Sequence, residues 1–175
     1  MPESDAIVRG RAVTHIKQNL KDVKNILDIG VGSGFYGRTL RAIFPSAYIA
    51  GIEIWPKYIQ DHLDYYNEIL LGDALKLDLL KHYPNQDLIV AADVVEHFSK
   101  EDAIRIVRDI KFITKHLIVT MPIIPYPQGS YNGNVYETHL HNWESIEATR
   151  ELGLELVQDC GVCGLFYWSR DIYGH

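Results

Sequence analysis

Cysteine is nearly absent from this chain: Cys160 and Cys163 are the only two among 175 residues. Their C-x-x-C spacing suggests zinc or redox chemistry, but zinc needs about four ligands and no second pair exists. A redox pair should open a helix. Here the strand-like run Leu154 to Asp159 precedes it and Gly161 and Gly164 interleave, so both cysteines read as small buried residues. No apolar run approaches the roughly 20 residues of a membrane span, and the N-terminus lacks the apolar stretch of a secretory signal. A cytoplasmic protein with no membrane partner is expected. Basic charge is also short: Lys and Arg total 17 against 23 Asp and Glu, a net charge of −6. That balance disfavours nucleic acid as a partner, since nonspecific binders carry a basic field. One basic concentration, Arg9, Arg11, Lys17, Lys21 and Lys24, reads as a solvated helix face. Repeats, linkers and low-complexity tracts are missing as well. At 47% hydrophobic, residues 1–175 fit a single domain with a sizeable core, too small for a cofactor domain plus a separate catalytic one.

What is present begins with Ile26-Leu27-Asp28-Ile29-Gly30-Val31-Gly32-Ser33-Gly34-Phe35-Tyr36-Gly37. A short apolar run ends at an acid, a glycine-dense turn follows, and a helix-like segment begins. Glycine lets the backbone approach a ligand closely and turn through positive φ, and a helix start offers unpaired N–H groups. Two frames overlap. Gly32-x-Gly34-x-x-Gly37 satisfies the dinucleotide fingerprint, with Glu53 at 21 residues past Gly32 as the ribose acid. That frame, which would make the chain an NAD(P)-binding reductase, leaves Asp28 and Gly30 idle and sets an acid near a pyrophosphate. The frame Asp28-x-Gly30-x-Gly32-x-Gly34 uses all four. An acid there suits a ligand that carries positive charge and no phosphate.

The second frame resembles the first motif of class I S-adenosylmethionine-dependent methyltransferases, and three more motifs follow in order. Ala47 to Glu53 reads as a second strand ending in an acid, with Trp55-Pro56 opening a helix. Glu68 to Leu71 reads as a third strand, followed by Gly72-Asp73-Ala74. Asp87 to Ala92 leads into Asp93-Val94-Val95-Glu96-His97. The resemblance covers about residues 24 to 121. It implies a single-domain α/β Rossmann-like fold: a seven-stranded, mostly parallel sheet in the order 3-2-1-4-5-7-6, the last strand antiparallel, with helices on both faces. It also implies S-adenosyl-L-methionine as cofactor. The binding residues would be Asp28, Gly30, Gly32 and Gly34, with Glu53 on the ribose hydroxyls, Asp73 and Ala74 at the adenine, and Asp93 toward the methionine part. The polar strand mouth around Glu53 should tolerate its loss.

Strand and helix alternate along the chain. A helix from about Ser4 to Leu20, inside an N-terminal element reaching residue 22, places Val8, Ala12, Val13, Ile16 and Leu20 on one stripe. Ser99-x-x-Asp102 is a capping box ahead of Ala103, Ile106, Val107 and Ile110. His116 to Thr120 is a fifth strand. Asn142 is expected to cap a helix from Trp143 to about Leu152, stopped by Gly153. Leu154 to Cys160 and Gly164 to Asp171 make the last two strands. Residues 122–141 are too rich in proline and glycine for a helix or central strand and too aromatic for a disordered tract. They follow the fifth strand, so they begin at the ligand-binding sheet edge and read as an acceptor-side lid.

Methyl transfer from a sulfonium is an in-line displacement in which positioning supplies much of the rate. A base is needed only for a protonated acceptor. His97 and His139 are the catalytic candidates, beside Glu96 and His141. His97 with His139-x-His141 could make a three-histidine metal site, but no carboxylate is clearly placed to complete it, and no metal is expected. The expected acceptor is a small molecule or protein-borne group, and a cofactor-binding protein without transfer activity is the other alternative.

Overall fold

A computed structural model describes residues 5–59 and 63–173. Seven strands form one sheet: β1 (Asn25–Ile29), β2 (Tyr48–Glu53), β3 (Glu68–Leu71), β4 (Gln86–Ala92), β5 (Thr114–Pro122), β6 (Glu155–Asp159) and β7 (Cys163–Ser169). Their order is β3-β2-β1-β4-β5-β7-β6. β1 to β5 pair in parallel, and β7 runs antiparallel to both β5 and β6. This is the order the resemblance implies. Among the described residues six α-helices accompany it: α1 (Ala6–Asn19), α2 (Phe35–Ile43), α3 (Leu79–His82), α4 (Lys100–Ile113), α5 (Ser145–Leu152) and α6 (Arg170–Tyr173).

Side-chain alternation along each strand divides the core in two. Ile26, Ile49, Leu88, Val90 and Ile118 face Val8, Ala12 and Ile16 of α1 and Leu40 of α2. Leu27, Ala50, Ile52, Ile89, Leu117 and Val119 face Ile106, Val107 and Ile110 of α4 and Leu152 of α5. β4 is buried almost end to end, as a central parallel strand covered on both faces must be.

Ser99 caps α4 as read: its Oγ accepts from Asp102 N at 3.2 Å and donates to Asp102 Oδ2 at 2.9 Å, so the Asp102 carboxylate meets the Ser99 hydroxyl. Gly153 closes α5 at φ +60°. Other boundaries differ. Asp5 caps α1, accepting from Ile7 N at 2.7 Å, and the described helix opens at Ala6; Ser4 lies outside the described residues. Of the helix expected after Trp55, the described residues carry one 3-10 turn, Pro56–Tyr58, and 60–62 lie outside. Asn142 is not the α5 cap. Its Oδ1 accepts from Tyr126 N at 3.3 Å, and α5 begins at Ser145 behind extended Glu144. Cys160 and Cys163 flank the β6–β7 turn, joined through Cys160 N and Cys163 O at 2.9 Å. Burial pushes the Cys163 thiol up to about 12, so it stays an inert thiol.

Candidate active site

β1, β2 and β4 end together, and each ends in a carboxylate or a glycine turn. Past β1, Gly30 N and Val31 N donate to Ile52 O at 2.9 and 3.2 Å, which folds the turn back against β2. Gly30 sits at φ +80°, and a Cβ there would stand 2.4 Å from Val94 Cγ2. A side chain would therefore clash and be strained at once. Gly32 (φ +51°) presents its N–H to Glu53 Oε2 at 2.9 Å, while Glu53 Oε1 accepts from Trp55 N at 2.7 Å. Burial raises the Glu53 carboxyl, and the Gly32 and Trp55 N–H groups oppose the rise.

These strand ends open on a cavity of about 620 Å³, within the size of small-ligand sites. Gly30, Gly32, Glu53, Asp73, Ala74, Asp93, His97 and His139 all line it. Asp73 turns inward on its own loop, accepting from Leu75 N at 3.0 Å and pairing with Lys76 Nζ at 3.0 Å. Asp93 adopts φ +53° and receives Thr120 Oγ1 at 3.2 Å. Asp28 and Gly34 are not in the lining. Asp28 is 1% exposed and receives the Tyr66 hydroxyl, which itself accepts from Gly37 N at 3.0 Å. Burial pushes the Asp28 carboxyl up to about 7, against the Tyr66 hydrogen bond. Gly34 starts α2 at φ +71°.

The segment from 123 to 144 straps across the opening. Tyr126, Gln128, Val135, Tyr136, Glu137 and Leu140 line the cavity from that side. Its tip is a tight turn in which Tyr131 N and Asn134 O meet at 3.1 Å, with Asn132 and Gly133 at φ +50° and +79°. Tyr131 is exposed and does not line the cavity, which removes it from the acceptor wall. Tyr58 Oη donates to Glu137 Oε1 at 2.7 Å, and Trp55 packs edge-on to Tyr136 at 6.4 Å. Leu140 N and His141 N both donate to Glu96 O, at 2.9 and 3.3 Å. His97 and His139 meet at 5.0 Å between ring centroids, and burial lowers both. Glu96 is 2% exposed; burial, then Asp93, holds its carboxyl well above the usual range. His141 turns away to Glu147 at 3.3 Å.

Residues 27–116, half of the chain, match the family described as "Methyltransferase domain". The chain belongs to this methyltransferase family. Its motif series and strand order are those of the class I S-adenosylmethionine-dependent methyltransferases. Solved structures share the fold at low identity. The N-terminal domain of EvdMO1 with SAH bound is 13% identical at a TM-score of 0.69, over 95% of this chain and 82% of that one. The mitomycin 7-O-methyltransferase MmcR is 18% identical at 0.64, over 91% and 52%. Human N-acetylserotonin methyltransferase in complex with SAM is 15% identical at 0.65, over 93% and 51%. The chain thus spans about half the length of the latter two. No curated protein matches it in sequence.

Several residues of this candidate site carry no signal in the sequence. Tyr66 supports the glycine turn from 38 residues beyond Asp28. Arg9, read as part of a solvated face, instead lines the cavity with its guanidinium 4.9 Å from the Phe35 ring centre. Asn134 is 2% exposed and receives Tyr136 N at 3.0 Å. A buried asparagine in a proline-rich loop is visible only once the loop is folded.

Proposed function

We propose that this chain transfers the methyl group of S-adenosylmethionine to a small-molecule acceptor. One observation carries the reading: in a member of the methyltransferase family, a single cavity is lined at once by the glycine turn, Glu53, Asp73 with Ala74, and Asp93. Glu53 keeps lone pairs beyond its two backbone hydrogen bonds, since each carboxylate oxygen has two acceptor sites; these would take the ribose hydroxyls. Asp73 and Ala74 would flank the adenine. Gly30 and Gly32, with no Cβ in the way, would let the methionine part lie against the turn near Asp93. The cofactor supplies an activated methyl group on a sulfonium, and the protein holds the acceptor in line with it.

The acceptor side is mixed: Tyr126, Val135, Tyr136, Leu140 and Val162 give it aromatic and apolar surface beside Gln128, Glu137 and His139. Such a wall suits a compact, partly apolar molecule. MmcR, named for a 7-O-methylation of mitomycin, and the N-acetylserotonin enzyme support a small acceptor by likeness of fold. The net charge of −6 argues against a nucleic acid. His139 and His97 would take a proton from a protonated acceptor.

Calorimetric titration with S-adenosylmethionine, S-adenosylhomocysteine and NAD tests the cofactor. Release of S-adenosylhomocysteine over a panel of small hydroxyl and amine compounds then tests transfer. Both sulfur ligands should bind and NAD should not. Tight NAD binding without response to either sulfur ligand would sink the reading.

A further inference from the structure

His97 and His139 come from different elements, yet they are held in the same way. His97 Nδ1 meets Thr138 O at 3.2 Å, and His139 Nδ1 meets Tyr126 O at 2.7 Å. A carbonyl oxygen only accepts, so Nδ1 carries the proton in both rings and each neutral Nε2 keeps its lone pair. A backbone carbonyl on one ring nitrogen is how proteins orient an imidazole whose other nitrogen ligates a metal. Glu96 precedes His97 in the same turn. Its Oε2 is buried and has no hydrogen-bond partner among the described residues, an arrangement that is unfavourable unless something else satisfies it. One ligand atom from each of Glu96, His97 and His139 lies within 4.8 Å of the other two. All three residues line the cavity.

We propose that Glu96, His97 and His139 form a binding site for a divalent transition-metal ion on the cavity wall. Two imidazoles and one carboxylate suit zinc, cobalt, nickel, iron or manganese; magnesium and calcium take mainly oxygen ligands. Ligand atoms about 2.1 Å from an ion stand roughly 3–3.5 Å apart, so atoms now within 4.8 Å of one another need draw together by at most roughly 1.3–1.8 Å. The main chain already brings them close: Leu140 N and His141 N donate to Glu96 O, pinning the strap that carries His139 to the turn that carries Glu96 and His97. Three protein ligands leave coordination positions open, and these face the cavity, where water or an oxygen of a bound molecule would complete the shell. The sequence pattern points to the wrong third ligand. His141 is committed to Glu147, and Glu96 stands where the three-histidine set weighed from the sequence has His141. An ion here uses both Nε2 lone pairs, so neither ring would then serve as a base.

The test uses the untagged, chelator-treated full chain titrated with Co²⁺, read by its visible absorption and by calorimetry. One ion per chain is expected, displaceable by Zn²⁺. Glu96→Gln and His139→Ala should each weaken uptake about tenfold or more, whereas His141→Ala should leave it within about twofold. Thermal unfolding of the metal-free variants shows whether Glu96→Gln still folds; if it does not, the loop variant His139→Ala carries the comparison alone. Titrating S-adenosylhomocysteine into the same samples separates this site from the methyl-transfer reading. Absent Co²⁺ uptake, or equal uptake by wild type and His139→Ala, overturns the metal site even where the sulfur ligand binds.

Discussion

Tyr66 shows how much a single hydroxyl organises here. It accepts from Gly37 N and donates to Asp28, linking the end of β1 to the first turn of α2. A Cβ at position 37 would stand 2.2 Å from the Tyr66 ring, so the last glycine of the Gly-x-Gly-x-x-Gly pattern seats this tyrosine. Tyr66→Phe keeps the ring and leaves two buried groups unpaired. Unfolding in denaturant should show a loss of about 1–3 kcal/mol with an unchanged slope; a loss below about 0.5 kcal/mol would mean the hydroxyl holds nothing. Glu53 calls for a different experiment, because its two oxygens brace Gly32 and Trp55. The expectation that the fold tolerates its loss therefore gives way. Glu53→Ala should weaken cofactor binding roughly 10- to 150-fold, the value of about 1.5–3 kcal/mol for hydrogen bonds to a charged group, and should also lower the melting temperature of the cofactor-free protein. A fall in melting temperature with the dissociation constant unchanged would leave Glu53 only the bracing role.

The strap from 123 to 144 is the element that the proposed acceptor would meet. Its tip follows a simple rule: Asn132-Gly133 at positive φ makes the turn type that asparagine-glycine pairs favour. Its attachment is not local. Tyr58 reaches Glu137 across 79 residues, and Gln128 Nε2 closes the loop on itself at Glu137 O, 2.7 Å away. Tyr58→Phe should therefore change global stability by less than about 1 kcal/mol. It should speed amide exchange over residues 134–140 and raise the acceptor KM more than it lowers kcat. Unchanged exchange in that stretch would show that the strap is held elsewhere. The same contrast separates what the sequence discloses from what it does not. α4 is legible because its cap and its stripe are each set by residues no more than four positions apart. The glycine turn and the acids at the strand ends are legible because each strand end carries its own chemistry. Tyr66, Arg9 and the true start of α5 are hidden because each is decided by a distant partner: Asp28, Phe35, and the Tyr126 N–H that occupies Asn142.

At the scale of the whole molecule, parallel order brings acids from separate strands to one sheet edge, where ligands of such folds bind. That placement has an energetic consequence. Asp28 and Glu53 are buried, at 1% and 4% exposure, and burial raises both carboxyls. For Asp28 the folded value of about 7 stands above the ordinary 3.8. The folded state then holds a proton that the unfolded chain has released, so stability from this group is full below about pH 4 and declines as pH rises toward about 7. The slope is up to about 1.4 kcal/mol per pH unit, and above about pH 7 the loss levels off. Asp28→Asn keeps an acceptor for the Tyr66 hydroxyl and removes the titration. Urea unfolding of both proteins from about pH 4 to about pH 8 isolates the effect as a difference, since other groups titrate equally in each. The variant should gain on the wild type steadily through this window. Parallel curves would mean that Asp28 ionises freely in the folded protein, and that the end of β1 is far better solvated than its burial implies.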